Sequence, residues 1–233
     1  MVPVTLNLFC GRFSLLPADP RDFSAQRTAL EEVVHEIGNV MLDDHAHRAT
    51  RLEALQYVCL EPSAAPQLIE ASSGKDSEVE YRAMGCRIDQ GDVGLLERLA
   101  DSFAAANPPP AAVLLAPAIA GIYSHGKFGV QKPGPITALA KMAHARLPAL
   151  RLAALRALGQ CESLLTVPAL RPILLHSPDP EDRFMAAYAL WQTVGGIWPA
   201  PTEADFRADP SGITKILLDR AACMEKHEVC GPG

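Results

Sequence analysis

The hydrophobic and polar positions between Pro148 and Trp191 repeat one pattern at a fixed spacing. The pattern begins at Arg151 and again 32 residues later at Arg183, and in both copies Ala follows at +3 and +6 and Leu at +7. On an α-helix the Arg, +3 and +7 positions lie within roughly 60° of one another. Each copy therefore predicts a helix with a narrow stripe of small apolar residues, and the repetition predicts an array of helix pairs.

Helical periodicity extends over most of the remaining chain. The predicted helices begin near Ser24 and then lie at about 47–60, around Leu68 and Ile69, around Arg82, and at about 92–106, 111–123, 135–146, 148–159, 163–176, 180–194, 202–207 and 211–226. Residues 111–123 are uniformly apolar, which favours a buried helix. Residues 124–135 form a long Gly- and Pro-rich connection, a kind that is often functional or mobile. Apolar and polar residues alternate from Val2 to Leu8, which predicts an extended N-terminal arm over residues 1–20.

The two copies resemble the second helix of HEAT-like repeats, which commonly follows the pattern Asp-x-x-x-Arg-x-x-Ala-x-x-Ala-Leu-Gly. The second copy matches at Asp179, Arg183, Ala186, Ala189 and Leu190, with Trp191 in place of the final Gly. The first copy has the final Gly, as Gly159, but Leu147 stands in place of the Asp. Two weaker matches to the pattern begin at Arg51 and at Glu78.

The resemblance implies an all-α fold. It predicts a right-handed α-solenoid of about six antiparallel HEAT-like helix pairs with the N-terminal arm as a cap. The corresponding domains are an arm at 1–20 and a repeat domain at 21–233. The alternative is a helical domain without repeats, because Ala-rich helical phrases also arise by chance.

Composition limits the class of protein. The chain has 233 residues and is 48% hydrophobic, enough to bury a substantial core. No run of apolar residues is long enough to predict a membrane span, and the N-terminus lacks the basic start and apolar centre of a secretory signal. The six cysteines are scattered along the chain, for which we predict reduced thiols in the cytoplasm.

Two short clusters raise the alternative of a metal site. Residues 43–47 contain two Asp and two His, but turns between helices are often equally polar. Cys223, His227 and Cys230 could supply three ligands, but a fourth is not evident nearby. We therefore predict no metal and no cofactor.

Common catalytic signatures are missing from the sequence. It contains no Gly-x-Ser-x-Gly, no phosphate-binding loop and no His-Glu-x-x-His, since His35-Glu36 is followed by Asn39. A cysteine nucleophile such as Cys86 or Cys161 stays an alternative, although a buried thiol is the simpler interpretation. The chain is therefore predicted to be non-enzymatic, without catalytic residues.

The charge is unevenly distributed. The chain has a net charge of −6, yet no Asp or Glu lies between Ser102 and Cys161. This acid-free stretch contains six cations: Lys127, Lys132, Lys141, Arg146, Arg151 and Arg156. Such asymmetry can steer an anionic partner. The simpler interpretation is that Arg151 binds the preceding turn and the other cations are solvated.

Three aromatic residues share one face of the second copy. If Arg183 and the small residues face the core, the positions at +1, +5 and +8 lie on a neighbouring face. Those positions are Phe184, Tyr188 and Trp191, and their equivalents in the first copy are Leu152, Arg156 and Gly159. Either the C-terminal segment covers these aromatics as a cap, or they anchor a partner, since Trp, Tyr and Arg are enriched at binding hot spots.

The predicted function is a cytoplasmic, non-enzymatic protein-binding module, such as a scaffold, an adaptor or an immunity-type binder. We expect a protein partner, whose acidic surface would suit the cations, and no membrane. The predicted binding residues are Phe184, Tyr188, Trp191, Arg156, Leu152, Lys127 and Lys132. The alternative is a nucleic-acid-binding or DNA-processing HEAT-like protein that uses the acid-free stretch, but the acidic chain as a whole disfavours nucleic acid.

Overall fold

The computed structural model describes residues 23–123, 133–195 and 199–226, and these residues form helices and turns without a strand. They contain twelve α-helices. These are α1 (Phe23–Leu42), α2 (Arg48–Val58), α3 (Ala65–Ala71), α4 (Ser77–Asp89), α5 (Val93–Ala105), α6 (Ala116–Ala120), α7 (Pro133–Met142), α8 (Pro148–Gln160), α9 (Val167–His176), α10 (Pro180–Thr193), α11 (Glu203–Ala208) and α12 (Pro210–Glu225). Short 3-10 helices at Pro62–Ala64, Pro110–Leu115 and Leu164–Thr166 precede α3, α6 and α9. The predicted all-α class is confirmed for the described residues.

The chain divides into two compact units, one ending at Ala83 and the other beginning at Met84, so that α4 contains the boundary. In the first unit α1 packs against α2 and α3. Its core includes Met41, Val58 and Leu68, which are fully buried. The predicted apolar face of α1 is confirmed at Val34 and Met41, whereas Leu30 is exposed.

The helices of the second unit contact one another in two series. In one series α6 contacts α8, α8 contacts α10, and α10 contacts α12. In the other, α5 contacts α7, and α7 contacts the 3-10 turn that leads into α9. Pairs of consecutive helices, α7 with α8 and α9 with α10, connect the two series. The core lies between them and contains the fully buried Leu139, Leu150, Leu158 and Leu170.

Helices α8 and α10 run in the same direction. Arg151, near the start of α8, bonds to Asp182 in the first turn of α10. Gly159, near the end of α8, faces Ala189 near the end of α10: a Cβ placed on Gly159 would lie 2.7 Å from the Ala189 Cα. Because both ends of α8 meet the corresponding ends of α10, the two copies of the repeated pattern lie side by side and parallel.

One predicted helix differs from the structure. The apolar residues 111–123 form a 3-10 helix at Pro110–Leu115 followed by the short α6 and a turn. Pro117 has no N–H to donate, so it is best tolerated in the first turn of a helix, and it lies in the first turn of α6, where it marks a new helix start within the apolar run. The predicted burial is nevertheless confirmed at Leu115 and Ile119.

The predicted N-terminal arm lies outside the described residues, as does most of the connection at 124–135. No helix in the described part of the chain is both long and apolar enough to cross a membrane.

Candidate functional site

The small-residue stripes of the two copies are packing surfaces. In α8 the residues Ala154, Ala157 and Leu158 have no exposed area, and the same holds for Ala186, Ala189 and Leu190 in α10. Ala side chains and Gly159 allow the backbones of α8 and α10 to approach closely. The burial expected for the motif positions is confirmed, and these residues are therefore excluded from any surface site.

Arg151 joins the two copies through a network of charge-assisted bonds. Its Nε donates to both carboxylate oxygens of Asp182, at 2.9 and 3.2 Å, and its Nη2 donates to Asp179 Oδ2 at 3.0 Å. Its Nη1 donates to the backbone carbonyls of Ala145 and Arg146, at 3.3 and 3.4 Å. The predicted tie of Arg151 to the preceding turn is confirmed, and the two carboxylates neutralise its charge.

Arg51 makes a similar connection in the first unit. Its Nε donates to the Met41 carbonyl at 2.9 Å, at the end of the preceding helix, and its Nη1 lies 3.3 Å from Asp44 Oδ1. Arg51 is buried despite its charge, and a buried guanidinium is stable only when it is paired and hydrogen-bonded. Arg51 thus shares with Arg151 the bond to a backbone carbonyl that precedes its helix, although its carboxylate partner lies in the preceding turn and not in the next copy.

The aromatic residues of α10 form a continuous row. The ring centroids of Phe184 and Tyr188 are 6.4 Å apart, and those of Tyr188 and Trp191 are 5.6 Å apart. Phe206 of α11 extends the row, since its ring lies 6.1 Å from that of Phe184. Phe206 is buried, whereas all three rings of α10 are half-buried. We call Phe184, Tyr188 and Trp191 the aromatic row.

Sequence reasoning missed Phe206. Its helix α11 is only six residues long and shows no aromatic pattern, so nothing in the sequence indicated that it would reach α10. The cap interpretation named Trp198 and the last helix instead. Trp198 lies outside the described residues, and α12 does pack against α10. The C-terminal segment therefore covers the Phe184 end of the aromatic row.

The neighbouring helix α8 contributes the two other predicted residues that the structure describes. Arg156 is exposed and Leu152 is half-buried. Within the described part of the chain no carboxylate lies within salt-bridge distance of the Arg156 guanidinium. Lys127 and Lys132 lie outside the described residues, so their place relative to the row stays a prediction.

The acid-free stretch is partly neutralised by the fold. Lys141 pairs with Asp101 of α5, and Arg151 pairs with Asp179 and Asp182. The sequence could not show this, because the carboxylates come from outside the stretch. Two of the cations in its described part are therefore unavailable to steer a partner.

The polar residues at 43–47 have structural roles. His47 caps the start of α2, because its side chain accepts a bond from the Ala49 N–H. Asp43 accepts a bond from the His45 N–H, and Asp44 pairs with Arg51. The interpretation of this segment as a polar turn between helices is confirmed. Over the described ranges no group of three or more His, Cys, Asp or Glu side chains is placed to hold a metal ion.

The prediction of reduced thiols is wrong for three of the four described cysteines. Cys59, Cys86 and Cys223 are disulfide-bonded, whereas Cys161 is a thiol outside any disulfide. The sequence gives only the spacing of cysteines, whereas pairing depends on which of them the fold brings within bonding distance. Disulfides persist mainly in oxidising compartments, so reduced thiols no longer support a cytoplasmic location.

Cys161 is an unreactive thiol rather than a nucleophile. It is fully buried, and burial raises its pKa, an effect that the nearby Tyr123 hydroxyl only partly offsets. Burial likewise raises the pKa of Tyr123. Because the thiolate is the reactive form of cysteine, this pair is part of the core.

No protein-family model and no curated protein matches the chain.

Proposed function

We propose that the chain is a non-enzymatic protein-binding module, of the scaffold, adaptor or immunity type. In this proposal the unit from Met84 onwards is a right-handed stack of HEAT-like helix pairs. The parallel packing of α8 on α10, with Arg151 bonded to the first turn of the next copy, supports the repeat interpretation. The similar bond of Arg51 to the end of α1 supports a repeat of the same kind in the first unit.

The binding surface we propose consists of the aromatic row together with Arg156 and Leu152 of α8. The observation that carries the proposal is the half-burial of three adjacent aromatic rings on one helix. Such rings offer a large and rigid contact area at a low cost in side-chain entropy, and with an exposed Arg they are the residue types most enriched at hot spots. The exposed Arg156 supplies a positive charge for an acidic partner.

The experiment begins with affinity purification of the partner on the full chain, followed by measured affinities for two variants. Tyr188→Ala should weaken binding by about thirtyfold, which corresponds to 2 kcal/mol at a hot spot, with little change in melting temperature. Tyr57→Ala is the matched control, because Tyr57 is an exposed tyrosine of the first unit, 42% accessible. It should leave the affinity unchanged.

The opposite result would assign the aromatic row to the cap. In that case Tyr188→Ala would lower the melting temperature and leave the affinity of the folded fraction intact, because the ring would serve only the packing of the C-terminal segment. An equal loss of affinity in Tyr188→Ala and Tyr57→Ala would also contradict a site at the aromatic row.

A further inference from the structure

A groove of about 580 Å³ opens beside the N-terminal ends of α8 and α10. Its lining comes from the turn between α7 and α8, from Arg151 of α8, from the last turn of α9 with the turn that follows it, and from the first turn of α10. It lies at the opposite end of α10 from Trp191. The residues that matter for its chemistry are His144, Arg146, Arg151, Ile173, His176 and Asp182. Its volume is in the range of pockets that hold a drug-sized ligand, which is about the size of a very short peptide.

The groove has one cation without a counter-charge. Among its described lining residues the only carboxylate is that of Asp182, which accepts two bonds from Arg151 and one from the Ser177 hydroxyl at 3.3 Å. Arg146 is exposed, and in the ranges the structure covers no carboxylate lies within salt-bridge distance of its guanidinium. Asp179, which is not among the lining residues, also pairs with Arg151, so the positive charge that stays open to a ligand is that of Arg146.

The turn that carries Arg146 is held in place. The Arg146 carbonyl accepts a bond from Arg151 Nη1, and Arg151 is itself fixed by Asp179 and Asp182. The network around Arg151 thus fixes the backbone from which the Arg146 side chain extends, while the Arg146 guanidinium takes no part in it.

Apolar and imidazole groups complete the lining. Ala143, Ala145 and Ile173 are buried side chains that provide an apolar floor. The rings of His144 and His176 lie at the exposed edge, and even a neutral imidazole can donate one hydrogen bond to a carboxylate. A ligand that suits all of these groups has a carboxylate next to an apolar side chain.

We propose that this groove binds a peptide segment of a protein partner in which an acidic residue lies beside an apolar one, with its carboxylate on Arg146. The inference rests on the proposed protein-binding function, and adds a second contact separate from the aromatic row. Nucleic acid fits less well, because its binding relies on several cations spaced along a phosphate backbone. The groove offers one unneutralised arginine above an apolar floor.

The test uses fluorescence anisotropy with a fluorescein-labelled peptide of alternating Glu and Leu, added to the full chain. Arg146→Glu should weaken binding by about tenfold or more, because it replaces the attractive charge with a repulsive one. Arg171→Glu is the matched control: it makes the same change of charge at an exposed position of α9 outside the groove lining. It should change the affinity by less than about twofold. Arg146→Lys keeps the charge but loses the bidentate hydrogen bonding of a guanidinium. Its affinity for the peptide should lie between those of the wild type and Arg146→Glu.

Four results would overturn the proposal. The first is an equal loss in Arg146→Glu and Arg171→Glu, since binding would then follow only the net charge. The second is equal binding of a Lys–Leu peptide, and the third is no binding of the Glu–Leu peptide up to about 1 mM. The fourth is tighter, Arg146-dependent binding of an oligothymidylate, which would make the groove a nucleic-acid site. None of these results affects the outcome of the Tyr188 experiment. The proposed function can therefore be correct even if the groove does not bind a peptide.

Discussion

Gly159→Ala tests the close approach of α8 and α10 most directly. The added methyl group would lie 2.7 Å from the Cα of Ala189 and 3.0 Å from its Cβ, and it would also meet the Gln192 side-chain oxygen. Carbon atoms in contact normally lie about 3.5–4.0 Å apart. The amide of Gln192 can rotate away, but the Ala189 backbone can move only if the two helices separate.

The magnitude follows from a comparison with Gly85, a second glycine inside a helix. A Cβ at Gly85 would lie 3.6 Å from the Ala118 Cβ, which is an ordinary contact. Replacing a helical Gly with Ala gains about 0.4–1 kcal/mol where space allows, so Gly85→Ala should be stabilising. Gly159→Ala receives the same gain but also the cost of overpacking, about 1–3 kcal/mol. The difference between the two variants isolates the packing cost.

Urea unfolding followed by circular dichroism at the helical band measures that difference. Gly159→Ala should unfold at lower urea than the wild type, and Gly85→Ala at the same or higher urea. Adding Ala189→Gly to Gly159→Ala should not restore wild-type stability, because it removes the 3.0 Å contact with Cβ but not the 2.7 Å contact with Cα, and a new Gly inside α10 itself costs about 1 kcal/mol. If Gly159→Ala proves as stable as Gly85→Ala, the two helices do not pack as closely as the structure describes.

Three further predictions concern single groups. Arg151→Met should cost about 3–5 kcal/mol of unfolding free energy, because the buried Asp182 carboxylate loses its partner, whereas the double variant with Asp182→Leu should recover much of it. Burial favours a raised pKa for Asp92, but bonds from the backbone of α5 and a nearby arginine outweigh it and lower the pKa. The negative charge of Asp92 therefore stabilises the folded state at pH values above the ordinary pKa of a carboxyl group. Asp92→Asn, which keeps the helix cap, should cost about 0.5–1 kcal/mol at pH 7, and the difference from wild type should vanish as the pH falls through the lowered pKa. Among the described cysteines only Cys161 should react with a thiol reagent in unreduced protein, and only after unfolding. Mass spectrometry of the labelled chain identifies the modified residue. Rapid labelling of Cys161 in the folded protein would contradict its burial.

The helices of the second unit were predictable because their signals are local. The repeated Arg, Ala and Leu positions placed α8 and α10 to within a residue or two, and Pro148 and Pro180 fix where these helices begin. The break at Pro117 was predictable in principle, but a uniformly apolar run has no periodicity that marks a boundary. Burial of the small-residue stripe followed from helical geometry alone.

The candidate site was only partly predictable because its remaining features are tertiary. The sequence identified three aromatics on one face of α10, but their half-burial depends on Phe206 and the C-terminal helices. The neutralisation of Lys141 depends on a carboxylate 40 residues away. No local pattern reports contacts of that kind, and the same holds for the pairing of the cysteines.

The network around Arg151 also sets an order of events during synthesis. Asp182 follows Arg151 by 31 residues, so a ribosome adding about 5–20 residues per second needs roughly 2–6 s to supply the carboxylate after the arginine. During that interval the nascent α8 exposes its apolar stripe and an arginine that lacks both acceptor carboxylates. The contacts of α8 with α10 can form only when α10 has emerged. A pause in translation between these two segments would therefore prolong the time for which the stripe is exposed to other chains.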